Sequence, residues 1–172
     1  MPSAGPGSSP TRQVDVRPAR PDDVDQLYAF IVELASYERE SDGVTGTPEM
    51  LADALFGPTP SAEALIAEID ARPAGFALFH GTFSTWECLP GIWLEDLYVP
   101  EAHRRAGVGG VLLSRLAALC VERGCPRLEW HALDWNDPAL RFYERIGASR
   151  LSEWELHRLD GEPLRRVAEL AP

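Results

Sequence analysis

The 172-residue sequence contains no long hydrophobic run, since none of its apolar stretches approaches the roughly 20 residues that a membrane-spanning helix requires. A hydrophobic content of 45% and a charged content of 25% are ordinary for a globular chain, which argues against a membrane protein and against wholesale disorder. The length predicts one domain, over residues 13–172. Residues 1–12 are rich in proline, glycine and serine and lack the apolar segment of a signal peptide, so we expect a flexible tail and a cytoplasmic protein.

Cysteine, histidine and basic residues are also scarce. The three cysteines show no CxxC spacing, and the four histidines show no HExxH spacing, so we expect neither a disulfide framework nor a metal site. The net charge is −11, whereas proteins that bind nucleic acid normally carry a basic surface. We therefore expect no nucleic-acid partner and no membrane partner, and an acidic surface would instead attract a small cation.

Hydrophobic periodicity predicts an α+β fold with a mixed central β-sheet. Alternating or short apolar runs predict strands over residues 14–19, 64–69, 74–83, 92–99, 127–133 and 149–159. Helical spacing and capping residues predict helices over about residues 24–37, 48–55, 108–124 and 137–146. The order combines an antiparallel meander with β-α-β crossovers, which is typical of a mixed sheet flanked by helices.

A glycine-rich turn lies between the strand that ends at Val99 and the helix that begins at Val108. Its spacing is RxxGxG, carried by Arg104, Gly107 and Gly109. Glycines allow backbone N–H groups to approach an anion closely, and a helix N-terminus adds free donors, so a pyrophosphate is the expected ligand. Neither a Walker A loop nor a GxGxxG fingerprint is present, and a flexible glycine turn remains the alternative interpretation.

With this turn, the stretches WLEDLYV and WNDPALRFYERIGA identify a resemblance over residues 14–159. The chain resembles the GNAT superfamily of acetyl-CoA-dependent N-acetyltransferases, and within it the diamine (spermidine/spermine) acetyltransferase group. The resemblance implies the GNAT fold, with two parallel strands that splay apart, and a homodimer with the last strand near the subunit contact. It also implies that acetyl-CoA is bound by the residues Leu97, Tyr98, Val99, Arg104, Arg105, Ala106, Gly107, Val108, Gly109, Gly110, Asn136, Asp137, Pro138, Ala139 and Tyr143.

Two residues carry the expected chemistry. An alkylammonium must lose a proton before it attacks a thioester, and Glu95 is the candidate acceptor of that proton. Its neighbour Asp96 is expected on the opposite face of the strand, because side chains alternate with a period of two. Tyr143 matches the family's tyrosine beside the acetyl-CoA sulfur and is the candidate general acid for the thiolate. The alternatives are salt-bridged carboxylates in a polar strand and an ordinary packed tyrosine.

The resemblance also implies a binding site for the acceptor amine. An aromatic face beside carboxylates suits a cation, and the implied contacts are Tyr37, Glu38, Glu95, Glu129, Trp130, His131 and Glu153. Tyr37 could instead staple a helix end, and Glu38 could be a solvated charge. The sequence departs from the family at Arg105, where glycine is common, and at Ala106, where a bulkier residue is common.

The sequence therefore predicts an N-acetyltransferase that moves acetyl from acetyl-CoA to a primary amine by direct attack in a ternary complex, without a metal. The expected acceptor is a polyamine, a diamine or a lysine-like amine. Acetylation of an aminoglycoside or of a protein N-terminus is an alternative. A non-catalytic acetyl-CoA sensor is another, although it would have no use for both Glu95 and Tyr143.

Overall fold

The computed structural model describes residues 13–171, so the predicted tail over residues 1–12 lies outside the described part of the chain. The described residues form two compact units, of which the first ends at His131 and the second begins at Ala132. The first unit contains a β-sheet with helices on both faces, and the second is helical. Within the described residues, no helix has both the length and the apolar composition needed to cross a membrane.

Five strands form one mixed sheet in the first unit, in the sequential order β1-β2-β3-β4-β5. The first three pairings are antiparallel and the pairing of β4 with β5 is parallel, as the predicted mixed sheet requires. Asp70 and Ala71 both have positive φ in the tight turn between β2 and β3, which suits the twist of a two-residue hairpin. The strands are β1 Val14–Pro18, β2 Glu63–Ile69, β3 Arg72–Ser84, β4 Leu89–Tyr98 and β5 Leu128–Trp130.

Two helices, α1 (Val24–Tyr37) and α2 (Pro48–Phe56), pack on one face of the sheet. Thr47 caps α2, because its side-chain oxygen accepts a hydrogen bond from the Met50 N–H at 3.3 Å, and proline follows at the first helical position. In the core beneath α1, the Phe30 and Phe76 rings stack with centroids 5.9 Å apart. The buried residues of this core are Leu27, Phe30, Leu34, Leu55, Ala64, Ile66, Phe76 and Tyr98.

Helix α3 (Val108–Glu122) packs against the sheet strands and presents a separate apolar stripe. Its buried residues recur at helical spacing and are Val108, Leu112, Leu113, Leu116, Leu119 and Cys120. Leu65 and Ala67 of β2 are buried but alternate with the residues that face α1, so both faces of the sheet are covered. The helix ends before Gly124, whose φ of 67° is the left-handed conformation that terminates helices.

The second unit contains α4 (Asp137–Arg145) and α5 (Gly161–Ala168). The predicted strand over residues 149–159 is wrong, because this segment pairs with no strand among the described residues. Its alternating apolar side chains, including Trp154 and Leu156, are exposed rather than packed on a sheet. Strand-like alternation does not suffice without a neighbouring strand to satisfy the backbone. Helix α5 was not predicted, and β5 is shorter than the strand expected over residues 127–133.

Candidate active site

A β-bulge in β4 positions the central carboxylate. Leu78 and Phe79 are adjacent in β3, but they pair with Asp96 and Leu94, so β4 carries one extra residue between them. That extra residue is Glu95. A bulge bends the strand and redirects the side chain at the unpaired position, and bulges are frequent beside active sites.

The bulge places Glu95 and Asp96 on the same face of the sheet. Asp96 pairs with Leu78, which packs against the core under α1. His80 lies two residues beyond Leu78 and therefore on the same face, and its Nε2 is 3.7 Å from Glu95 Oε2. The expectation that Glu95 and Asp96 point to opposite faces was wrong, because the extra residue interrupts the period of two.

Two side chains contact one oxygen of Glu95. The indole Nε1 of Trp93 donates a hydrogen bond to Glu95 Oε2 at 2.9 Å, and His80 approaches the same oxygen. The Glu95 side chain nevertheless remains 56% exposed, so a molecule in solution can reach its carboxylate. The Trp93 ring is in turn in a T-shaped contact with His131, with centroids 4.5 Å apart.

Glu38 and Asp96 extend the negative charge around Glu95. Burial raises the pKa of Asp96 to about 6, and the charges of Glu95 and Glu38 add to the rise. Burial also raises the pKa of Glu38, and the charge of Glu40 contributes to that rise. Because Glu95 and Glu38 raise the pKa of Asp96, the ionised form of Asp96 is stabilised when a cation binds beside it. The arrangement suits an ammonium group.

Tyr37, at the C-terminal end of α1, lies beside this acidic group and contacts the glycine-rich turn. The guanidinium carbon of Arg104 lies 4.6 Å from the centre of the Tyr37 ring, a cation–π geometry. Arg104 also donates a hydrogen bond from Nε to the Val99 carbonyl at 3.1 Å. The Arg104 side chain therefore joins the turn to the end of α1 and to the end of β4.

The turn itself presents backbone donors. Gly107 has a φ of 84° and is the N-cap of α3. The first N–H bonded within the helix is that of Val111, which donates to the Gly107 carbonyl at 3.1 Å, so the N–H groups of residues 108–110 precede the hydrogen-bonded ladder. Such a set of donors at a helix N-terminus fits a pyrophosphate. Arg105 also has positive φ, 69°, which explains why glycine suits this position.

Beyond Leu94, the side of β4 that faces β5 is not paired with any strand among residues 13–171. The parallel pairing with β5 covers Ile92 to Leu94, and β4 continues beyond it to Tyr98. The Tyr98 side chain is buried, and its hydroxyl donates to Glu33 Oε2 at 3.1 Å, so this residue contributes packing as well as backbone. The backbone of Leu97, like that of the two residues after it, remains a predicted contact for the cofactor.

Further predicted acceptor contacts lie on or just after β5. Glu129 is opposite Trp93 in the parallel pairing and forms an ion pair with Arg127, whose Nε is 2.9 Å from Glu129 Oε2. This pairing neutralises Glu129 in part, so Glu129 is less available to a cation than Glu95. Trp130 ends the strand, and the exposed residue after it is His131, which contacts Trp93.

The second unit carries the other predicted residues. Asn136 caps α4, since its side-chain oxygen accepts from the Ala139 N–H at 3.4 Å, and Asp137 and Pro138 form the first turn. Burial raises the pKa of Tyr143 above its usual value, so its phenol is neutral over the whole physiological range, as an ordinary tyrosine is. Glu153 is exposed and lies outside any helix or strand.

Sequence reasoning did not select Trp93 and His80 as site residues. The sequence contains a weak signal for Trp93. It lies two positions before Glu95 in a predicted strand, where side chains two positions apart project from the same face. His80 is 15 positions away from Glu95 in the sequence, and only the register of β3 against β4 brings the two together. No group of three or more side chains that could hold a metal ion occurs among residues 13–171.

Comparison with known proteins identifies the family of this chain. The model of the acetyltransferase (GNAT) family matches residues 27–148, which is more than half of the chain. The chain belongs to the GNAT family of acetyltransferases. It is thus an acetyl-transferring enzyme that acts on amines, and members of this family use acetyl-CoA as the co-substrate.

The acetyltransferase is similar to relatives of known activity and to solved structures. It is 35% identical to the thialysine N-epsilon-acetyltransferase of Bos taurus, over 90% of this chain and 97% of the bovine protein. It is 30% identical to the human spermidine/spermine N(1)-acetyltransferase-like protein 1, over 89% of this chain and 23% of the human protein. An integron cassette protein from the mobile metagenome of V. cholerae superposes with a TM-score of 0.75 and 27% identity, covering 91% of this chain and 98% of that structure. These relatives agree with the predicted diamine group.

Proposed function

We propose that the acetyltransferase moves the acetyl group of acetyl-CoA to a primary amine of a small cationic acceptor by direct attack in a ternary complex. The observation that carries this proposal is the group of three carboxylates, Glu38, Glu95 and Asp96, on one side of the sheet beside Tyr37. The carboxylates attract an ammonium, and the aromatic ring adds a face that favours a cation. The net charge of −11 favours the approach of a cation.

Glu95 is the proposed proton acceptor. A primary amine with a pKa of about 10 is almost entirely protonated at neutral pH, and its nitrogen has no lone pair until the proton is removed. Glu95 is exposed to an incoming acceptor, and its Oε2 accepts a hydrogen bond from the indole N–H of Trp93. A carboxylate on a fixed strand can remove the proton directly or through one water molecule.

Tyr143 is the proposed general acid. The departing sulfur of the thioester leaves as a thiolate and is stabilised by a proton. The match of Tyr143 to the family's tyrosine beside the acetyl-CoA sulfur supports this assignment, and a tyrosine phenol carries a transferable proton at neutral pH. No cysteine nucleophile is assigned, since Cys120 and Cys125 are buried and Cys88 lies in the turn between β3 and β4.

Acetyl-CoA supplies the acetyl group as a thioester, and the residues of the turn fit its pyrophosphate. The N–H groups that precede the helical ladder of α3 would hold the phosphate oxygens, and the left-handed Gly107 allows the chain to turn towards them. The backbone at Leu97 and Val99 would contact the pantetheine arm at the open edge of β4. Asn136 and the first turn of α4 would provide the second contact.

The acceptor is proposed to be a polyamine, a diamine or a lysine-like amine. The bovine and human relatives are named for thialysine and for spermidine or spermine, all of which carry a primary amine at the end of a flexible chain and a second polar or charged group. A second positive charge of this kind would find further carboxylates near the proposed base, since Asp96 lies close enough to Glu95 and Glu38 for their charges to raise its pKa. The residues Tyr37, Glu129, Trp130, His131 and Glu153 remain proposed acceptor contacts.

We also propose that residues 13–172 form one acetyltransferase domain, because the family match crosses the boundary between the two compact units. A cytoplasmic homodimer without nucleic-acid or membrane partners is the corresponding proposal for the whole protein. It is supported by the family resemblance and, for the nucleic acid, by the negative net charge.

The test of the mechanism is the variant Glu95→Gln, measured by release of CoA thiol over a range of pH. Without the carboxylate, the acceptor must lose its proton to solvent, so the pH profile of turnover is expected to move to higher pH and turnover at pH 7 to fall by about 100-fold. The control is Glu87→Gln, an exposed glutamate in the turn between β3 and β4. A profile and a rate equal to those of the parent enzyme would assign the base elsewhere.

A further inference from the structure

Trp93 makes a contact that packing alone does not explain. Its indole N–H is a donor that cannot accept, and it donates to Glu95 Oε2 at 2.9 Å, although the side chain of Glu95 is mostly in solvent. A hydrogen bond between a neutral donor and a carboxylate is among the stronger ones in proteins. The bond restricts a carboxylate that, on an exposed bulge, would otherwise sample several rotamers.

We propose that Trp93 is a positioning residue for Glu95. This inference rests on the proposed role of Glu95 as the proton acceptor. By binding Oε2, the indole fixes the plane of the carboxylate, and we assign the other oxygen, Oε1, to the proton of the acceptor amine. A base held in one orientation keeps its accepting oxygen in reach of the amine for a larger share of the time, which raises kcat without strengthening the binding of acetyl-CoA.

The surroundings of Trp93 hold the indole in place. His131 meets its ring edge-on at a centroid distance of 4.5 Å, and Trp93 is paired with both neighbouring strands, with His80 of β3 and Glu129 of β5. A tryptophan on a central strand has few alternative positions, so its N–H is a fixed reference point for the more mobile side chain of Glu95.

His80 contributes less to this positioning than Trp93. Its Nε2 is 3.7 Å from Glu95 Oε2, which is beyond hydrogen-bond distance, and both side chains are substantially exposed. Ion pairs between exposed groups contribute little, whereas the Trp93 interaction is a direct hydrogen bond of 2.9 Å made by a partly buried residue. We therefore expect the effect of His80→Gln to be about twofold at most.

The experiment compares Trp93→Phe with the parent enzyme, alone and combined with Glu95→Gln, by release of CoA thiol with spermidine and with thialysine as acceptors. Phenylalanine keeps an aromatic ring and removes the N–H. Trp93→Phe is expected to lower kcat about tenfold and to leave the KM for acetyl-CoA within twofold of the parent value. The matched control is Trp86→Phe, because Trp86 is 89% exposed in the turn between β3 and β4.

The double variant decides how Trp93 acts. If the indole works through the carboxylate, Trp93→Phe lowers the remaining rate of Glu95→Gln by less than twofold. A second full tenfold loss in that background, or an unchanged kcat in the single variant, would overturn the positioning role while leaving Glu95 as the base. Full activity of Glu95→Gln would overturn both the proposed base and this inference.

If Trp93→Phe does not fold, benzothienylalanine at position 93 replaces it, since this analogue keeps the bicyclic shape and lacks only the N–H. The same tenfold loss of kcat is expected. Parent-like kcat with the analogue would assign the effect of Trp93 to packing and would contradict the proposal.

Discussion

Asp96→Asn is expected to make the acetyltransferase more stable at neutral pH and less able to bind its acceptor. The pKa of Asp96 is raised from 3.8 to about 6, first by burial and then by the charges of Glu95 and Glu38. A carboxyl group whose pKa is higher in the folded state than in the unfolded state binds its proton more tightly when folded. The ionised form therefore opposes folding.

The sign and size of the effect follow from this shift. Well below pH 4, Asp96 is protonated in both the folded and the unfolded state and does not affect the free energy of unfolding. As the pH rises from about 4 to about 6, Asp96 ionises more readily in the unfolded state, which lowers the free energy of unfolding. Above about pH 6 this destabilisation has reached nearly its full size. A displacement of about two pH units corresponds to about 3 kcal/mol, so Asp96→Asn is expected to raise the free energy of unfolding at pH 7.5 by about 2–3 kcal/mol and to change it little at pH 4.

Urea unfolding of the parent and the variant at pH 4, 5, 6 and 7.5 measures this difference directly. Asp42→Asn is the control, because Asp42 is an exposed acid in a short turn after α1. A stability difference for Asp96→Asn that is the same at every pH would refute the reasoning. The same variant is expected to raise the KM for the acceptor, because it removes a negative charge that attracts the cationic acceptor. The gain in stability would thus come with a loss of acceptor binding.

Three further predictions concern other parts of the site. Tyr143→Phe is expected to lower turnover more than tenfold and to leave acetyl-CoA binding nearly intact, since the ring remains and only the proton donor is lost; an unchanged rate of CoA release would remove the phenol from the mechanism. Arg105 and Gly107 both have positive φ, a conformation that glycine adopts more easily than other residues. Arg105→Gly is therefore expected to raise the free energy of unfolding by about 1 kcal/mol, and Gly107→Ala to lower it by about 1 kcal/mol. Urea unfolding that shows no change in stability for either variant would contradict this. Tyr37→Leu removes the ring under Arg104 and is expected to weaken acetyl-CoA binding about threefold by calorimetry, whereas unaltered affinity would show that this contact does not support the turn.

The regions with strong local signals were predictable from the sequence. The RxxGxG motif predicts the turn between β4 and α3, because the glycines and the start of a helix both depend on the local backbone conformation. Thr47 was predicted as a helix cap, and either Asn136 or Asp137 as another, from local chemistry; Thr47 and Asn136 accept the expected backbone hydrogen bonds. The mixed sheet followed from the order of strands and helices.

The features that depend on pairing between distant segments were not predictable. The bulge at Glu95 arises from the register of β4 on β3, and the alternation of residues in β4 alone suggests the wrong face for Asp96. The contact of His80 with Glu95 has the same origin. The segment over residues 149–159 has the alternation of a strand, but strand formation needs a partner that the local sequence does not reveal.

The most direct test of the central claim is release of CoA thiol from acetyl-CoA by the parent enzyme with a panel of acceptors. The panel contains spermidine, spermine, putrescine, lysine, thialysine, an aminoglycoside and a peptide with a free N-terminus. The account predicts saturable turnover with one or more of the small polyamines, diamines or lysine-like amines. Turnover only with the aminoglycoside or the peptide, or tight binding of acetyl-CoA without turnover of any amine, would contradict it.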